Sequence, residues 1–277
     1  MPTTSMQRKI DLYEFLLDFI AHEIRNPLNS IIMFGNLLTE GAYGAVPQNQ
    51  TEVIGRMLAS AYRIEHMTGD FLNLRRVDGG EEMLHREWLD LKTDVVDVTL
   101  GDLSAKFPDH AARLGRVRRE SRCASTRIFA DRQMLLTIYD NLFFNALKYG
   151  RPTGKIVWGC SVRGGAWEMF VTNEGQGVKP EALGKVFTKF YRVQDEKLPP
   201  QPGTGLGLYN VQRIVRLHKG TIRAASRYGR DFTVRFTLPR PETSPAVGAV
   251  RSAALPAARA ARAAQKPAAG VKARRPR

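Results

Sequence analysis

Residues Phe19 to Leu28 read Phe-Ile-Ala-His-Glu-Ile-Arg-Asn-Pro-Leu, placing one imidazole beside a carboxylate and four residues before a carboxamide. Apolar residues recur at Ile10, Tyr13, Leu17, Ile20, Ile24, Leu28, Ile31 and Leu38, the three-and-four spacing of a helix packing seam. His22 is two residues from both Ile20 and Ile24 and so points away from that seam, sharing a polar face with Asp18, Arg25, Asn26 and Asn29. Pro27 removes the helical hydrogen bond to the Glu23 carbonyl and bends the rod one turn beyond the histidine. An exposed imidazole at a costly kink, with Glu23 adjacent to take its proton, has the chemistry of a nucleophile or a base.

A second group of residues suits a phosphorylated ligand. Asn141, Asn145 and Lys148 are spaced four and three apart and share a helix face, while Leu135, Ile138, Leu142 and Ala146 supply the buried face. The side-chain carbonyl of Asn145 suits a hard cation such as Mg²⁺, and Lys148 suits a phosphate. Asn173-Glu174-Gly175-Gln176-Gly177 follows a strand directly, and its glycines let backbone approach a ligand closely. Gly203-Thr204-Gly205-Leu206-Gly207-Leu208 opens a helix whose free N–H groups favour phosphate. Neither glycine run is a Rossmann or P-loop arrangement, because the GK[ST] ending is missing and the second run comes late in the chain.

Regular elements must position these groups. Two long helical patterns come first, from about Arg8 to Thr39 and from the far side of a Gly41–Pro47 turn to about Asp78. The second helix carries Ile54, Met57, Leu58, Ala61, Ile64, Thr68, Phe71 and Leu72 on its apolar stripe. A hairpin alone leaves such stripes partly uncovered, which predicts a dimeric four-helix bundle. Beyond Gly80 the pattern predicts strands at Trp88–Leu91, Arg116–Glu120, Arg127–Ala130, Ile156–Val162, Trp167–Thr172, Thr221–Ala225 and Phe232–Leu238. Helices are predicted after Leu91 to about Ala105, over Asp131–Tyr149 and over Leu206–His218. The fold class is therefore α + α/β: an N-terminal helical hairpin (1–80) and a two-layer α/β sandwich (81–240).

The 277 residues are 43% hydrophobic, enough for a packed core, and contain no apolar run of membrane-spanning length. The first nine residues lack the apolar block of a secretory signal, and Cys123 and Cys160 have neither metal nor disulfide spacing, so a reducing cytoplasm is expected. Residues 241–277 hold eight of the basic residues against one acid, Glu242, within a net charge of +15 for the chain. This Ala/Pro-rich tail cannot bury a core and is expected to be disordered, with weak contacts to nucleic acid or an anionic membrane.

Taken in order, these runs resemble the bacterial sensor histidine kinases of two-component systems, over about residues 8 to 240. His22 to Leu28 looks like the phosphoacceptor box and Asn141 to Tyr149 like the asparagine box. Asn173 to Gly177 and Gly203 to Leu208 resemble the two glycine boxes, and Phe187 to Arg192 the phenylalanine box of the lid. The resemblance implies that ATP and Mg²⁺ bind the sandwich and that the γ-phosphoryl passes to His22, then to an aspartate of a response regulator. It implies a homodimer, with Glu23 orienting or deprotonating the imidazole and Asn26 orienting water for a regulator phosphatase activity. Asn145 would hold Mg²⁺, with Lys148, Lys189 and Arg192 as candidate phosphate contacts; Asn141, Tyr149, Asn173, Gly175, Gly177, Gly203, Thr204, Gly205, Leu206 and Gly207 complete the nucleotide site.

Two positions depart from the family pattern. Asn173 stands where an Asp usually accepts a hydrogen bond from the adenine amine, although an Asn carbonyl oxygen can accept the same bond. Lys189 stands where Arg is common. Only 21 residues precede His22, so the signal is expected from an upstream partner protein, the helix ends or the tail. Two other classes remain: a scaffold dimer with a degenerate ATP domain, supported only by Asn173, and an ATP-driven chaperone or topoisomerase relative. The latter class lacks a His-Glu-x-x-Asn-Pro hairpin.

Overall fold

A computed structural model of the protein describes residues 4–78, 84–120, 126–193 and 203–241, with the side chains of residues 4–19, 21, 22 and 73–78 outside the description. The expectations for Ile10, Tyr13, Leu17, Asp18, the His22 side chain, Cys123 and the tail from Glu242 onward therefore lie outside it. Helix α1 (Thr4–Thr39) runs through Pro27, and α2 (Gln48–Asp78) returns beside it. Leu28, Leu58 and Ala61 are buried, and Asn36 donates to the Tyr62 hydroxyl at 3.1 Å across the pair. Ile20, Ile24, Ile31, Leu38, Met57 and Ile64 remain exposed on the single chain.

The second part begins with β1 (Arg86–Asp90), a π-helical turn (Leu91–Val96) and α3 (Asp97–Lys106), then a short α4 (Ala111–Leu114) and β2 (Arg118–Arg119). Next come β3 (Arg127–Asp131), α5 (Arg132–Tyr149), β4 (Ile156–Arg163) and β5 (Ala166–Glu174). The chain closes with α6 (Pro180–Leu183), α7 (Gly207–Leu217), β6 (Ile222–Arg227) and β7 (Asp231–Pro239). Five strands form one sheet in the order β2-β4-β5-β7-β6, and β1 pairs separately with β3. β2 is parallel to β4, whereas β4, β5, β7 and β6 pair antiparallel.

Alternation on β5 explains the second layer. Trp167, Met169 and Val171 are buried, as are Val234, Phe236 and Leu238 of the neighbouring β7. Against this face lie Leu135, Ile138, Tyr139, Leu142 and Phe143 of α5 and Val211, Ile214 and Val215 of α7, in one continuous core. Asp131 caps α5 by accepting from the Met134 amide at 3.0 Å and also accepts from the His85 amide at 2.9 Å.

The strand predicted over Arg116–Glu120 is shorter than its pattern: Arg118 and Arg119 pair with Val157 and Trp158, and Glu120 adds one bond from its amide to the Trp158 carbonyl at 2.8 Å. Leu91 likewise leaves β1 for the π-helical turn, where Asp90 accepts from the Lys92 amide at 2.8 Å and the Thr93 amide at 3.0 Å. Among the described residues no helix is long and apolar enough to cross a membrane. Ile138 is fully buried between the layers. Truncating it with Ile138→Ala is expected to cost about 2–5 kcal/mol in urea unfolding, through lost transfer energy and the cavity left behind.

Candidate functional site

The exposed side of α5 forms one wall of a cleft of about 470 Å³, with Asn141, Asn145, Lys148 and Tyr149 in its lining. The Asn141 amide donates to the Thr137 carbonyl of its own helix at 2.9 Å, so part of its bonding capacity stays inside the wall. The final turn is held by Arg113, a buried side chain from α4 that donates to the Leu147 and Ala146 carbonyls, both at 2.9 Å. The guanidinium satisfies the Leu147 carbonyl, shares the Ala146 carbonyl with the Gly150 amide at 3.0 Å, and complements the helix dipole. This fixes the turn that carries Lys148. Burial pushes the Lys148 amine down to about 8, with the Arg192 charge acting in the same direction and Asp70 opposing.

The second wall is the glycine-rich run before α7. Gly203, Thr204, Gly205 and Gly207 line the cleft. Gly205 has φ +72°, its carbonyl accepts from the Phe190 amide at 3.1 Å, and a Cβ there would meet Phe190 backbone at 2.7 Å. Leu206 is fully buried and turns into the interior, so it does not line the cleft. Arg192 reaches the cleft, but the exposed Lys189 does not: its amine lies 5.5 Å from the Phe190 ring centroid and 6.0 Å from that of Tyr209.

The sheet supplies the third wall through Asn173, Gly177, Val178 and Phe232. Gly177 has φ +67°, and a Cβ there would lie 2.7 Å from the Arg227 carbonyl oxygen. Ser226 holds this loop in place, accepting from the Val178 amide at 2.8 Å and donating to the Asp231 carbonyl at 2.6 Å. Gly175 does not line the cleft; its amide donates to the Arg230 carbonyl at 2.9 Å and it bridges Gly150.

Helix α2 closes the cleft with residues that local pattern does not mark, including Arg63, His66, Met67 and Asp70. Asp70 accepts from the Thr204 hydroxyl at 2.7 Å, and its backbone carbonyl accepts from the Asn210 amide at 2.9 Å. His66 stacks on Phe144 with ring centroids 4.2 Å apart, and its Nε2 lies 3.1 Å from Asp140 Oδ2 without an aligned hydrogen bond. Lys106 of α3 pairs with Glu65 at 2.9 Å. Burial lowers the affinity of the His66 ring for a proton, but Asp140 and Asp70 together outweigh it and leave the pKa raised. Burial raises the Asp70 carboxyl against the pull of His66 and Thr204. Glu23 and Asn26 are exposed on α1 and do not line the cleft.

Comparison with known proteins gives this arrangement a family. Residues 14–80 match the "His Kinase A (phospho-acceptor) domain", and residues 130–242 match the "Histidine kinase-, DNA gyrase B-, and HSP90-like ATPase" family. The chain belongs to the two-component sensor histidine kinases. It is similar to the sensor protein SrrB of Staphylococcus aureus, 26% identical over 240 residues, covering 86% of this chain and 40% of that protein. The chain thus spans well under half the length of the curated relatives it matches.

Full-length ShkA in complex with AMPPNP has the same fold, with a TM-score of 0.59 and 24% identity over 81% of this chain and 45% of ShkA. The Acinetobacter baumannii histidine kinase AdeS aligns with a TM-score of 0.50 and 22% identity, over 79% of this chain and 98% of AdeS. In this chain the α5, β5 and glycine-run walls fall inside the ATPase match, whereas His66 and Asp70 fall inside the phospho-acceptor match.

The raised His66 makes the contact between these two parts depend on pH. Its stabilisation is fully present below the ordinary histidine value of 6.5 and is lost as pH rises through the raised value. The groups facing it are Asp70, Asp140 and Lys106. Thermal unfolding of the wild type and His66→Ala between pH 6 and 8.5 is expected to show the largest gap at pH 6, narrowing as pH rises.

Proposed function

We propose that the chain is an ATP-dependent autophosphorylating protein histidine kinase with three segments: a phosphoacceptor hairpin (1–80), an ATP-binding domain (81–240) and a basic tail (241–277). The observation that carries this is the convergence of Lys148, Arg192 and the glycine-rich start of α7 on one cleft. A desolvated amine beside a guanidinium at a helix N-terminus favours a polyanionic ligand. The triphosphate of ATP has that charge, and the Asn173, Val178 and Phe232 wall offers an apolar seat for its base.

In this scheme a ring nitrogen of His22 attacks the γ-phosphorus, the N–P bond forms, and the bond to the β-phosphate oxygen breaks to release ADP. Glu23, exposed on the same helix, orients the ring and takes its N–H proton. Lys148 and Arg192 hold the phosphates, and Thr204 with the α7 N-terminus lines the same end. Asn145 brings an amide oxygen suited to Mg²⁺, and no cluster of three His, Cys, Asp or Glu side chains stands ready as a metal cage among the described residues. That donor set fits a hard cation held mainly by phosphate oxygens and water, which would neutralise charge on the transferring group.

The phosphoryl group would then pass from His22 to an aspartate of a response regulator. Asn26, exposed four residues further on, would position water to hydrolyse the aspartyl phosphate of the regulator, releasing inorganic phosphate. The exposed apolar residues Ile20, Ile24, Ile31, Leu38, Met57 and Ile64 support burial against a second copy of the hairpin. Incubation with Mg²⁺ and γ-labelled ATP is expected to give an acid-labile, alkali-stable label on wild type and none on His22→Gln. Equal labelling of both proteins, or none on folded wild type at high ATP, would contradict the assignment.

A further inference from the structure

Asn173 is a buried polar residue on the sheet wall of the cleft. It is 6% exposed near the end of β5, its side chain lines the cavity, and it sits opposite Phe232 in the β5–β7 register. Its backbone pairs with Ile156 and Phe232 on the flanking strands, which leaves the carboxamide facing the cleft. A carboxamide that faces the cleft can exchange water for a ligand that supplies a donor and an acceptor together. The apolar neighbours Val178, Val186 and Phe232 suit a planar heterocycle.

A carboxamide presents one acceptor and one donor side by side, and rotation of its terminal torsion exchanges them. In one orientation it accepts from a 6-amino group and donates to the adjacent ring nitrogen, the edge of adenine. In the other it donates to a 6-oxo group and accepts from the adjacent ring N–H, the edge of hypoxanthine or guanine. A carboxylate at this position would accept from the amine but face a 6-oxo oxygen acceptor to acceptor.

We propose that Asn173 makes this site tolerant at the purine 6-position, so that 6-oxopurine nucleoside triphosphates bind alongside ATP. The inference rests on the nucleotide-site assignment above and extends it to base selectivity. Inosine triphosphate is the cleanest probe, because it changes the 6-position and the adjacent ring nitrogen without adding a 2-amino group.

The experiment is calorimetric titration of the full chain with ATP and with ITP, for wild type and for Asn173→Asp. The expected result is that wild type binds the two within about tenfold, and that Asn173→Asp widens the preference for ATP by a further tenfold or more, the scale of one mispaired buried hydrogen bond. Wild type binding ATP a hundredfold or more tighter than ITP would overturn the proposal, as would an unchanged ratio in the variant. The wild-type ratio decides the matter even where the variant fails to fold. Binding of neither nucleotide would overturn the nucleotide site itself and this inference with it, whereas ATP bound and ITP excluded would overturn the inference alone.

Discussion

Helix Arg132–Tyr149 has to satisfy two opposed demands within the same five turns, and the rest of the molecule is arranged around that. Leu135, Ile138, Leu142 and Ala146 must be out of water against the sheet, while Asn145 and Lys148 must stay available to a cavity. Helical periodicity allows both faces to coexist, but it leaves the Leu147 carbonyl without a helical partner close to the half-buried Lys148 amine. Arg113 resolves this from outside the helix by bonding the Leu147 carbonyl and sharing the Ala146 carbonyl with the Gly150 amide. The outer face is then covered by α2, through the stacking of His66 on Phe144 and its contact with Asp140. A single helix therefore joins the sheet, the cleft and the N-terminal hairpin.

The cleft itself is chemically uneven. One part carries Lys148, Arg192 and the N-terminal end of α7, where fixed positive potential awaits an anion. Another part, on the sheet, is largely apolar and holds a single buried amide. Asp70 stands against the positive part and occupies the Thr204 hydroxyl. A ligand with a phosphate chain must share that space with a carboxylate held by the phosphoacceptor hairpin. Nucleotide binding and the position of α2 are thereby linked through one side chain.

Much of this was legible from spacing. The buried face of Arg132–Tyr149, the paired strands flanking Gly164-Gly165 and the helix after Gly203–Gly207 each follow from local periodicity and turn chemistry. Contiguous motifs were less informative at the level of single residues. Gly175 and Leu206 belong to glycine runs but serve the backbone bridge and the core, because neighbouring residues in an extended loop point in different directions. Lys189 is near the right loop, yet its amine rests among aromatic rings. The closing wall from His66 to Asp70 left no local signal, since its partners Asp140, Phe144 and Thr204 are far away in sequence and meet it only through tertiary packing. The extent of β2 was also hidden, because two residues of a longer β-like run find a neighbour.

Amide hydrogen exchange with and without a non-hydrolysable ATP analogue tests most directly whether the cleft built on this helix is the nucleotide site. The structure predicts slowed exchange along residues 141–149 and 203–210, the two walls that carry the cationic and glycine-rich groups. Unchanged exchange in both segments at saturating analogue, or protection confined to regions outside the cleft, would contradict it.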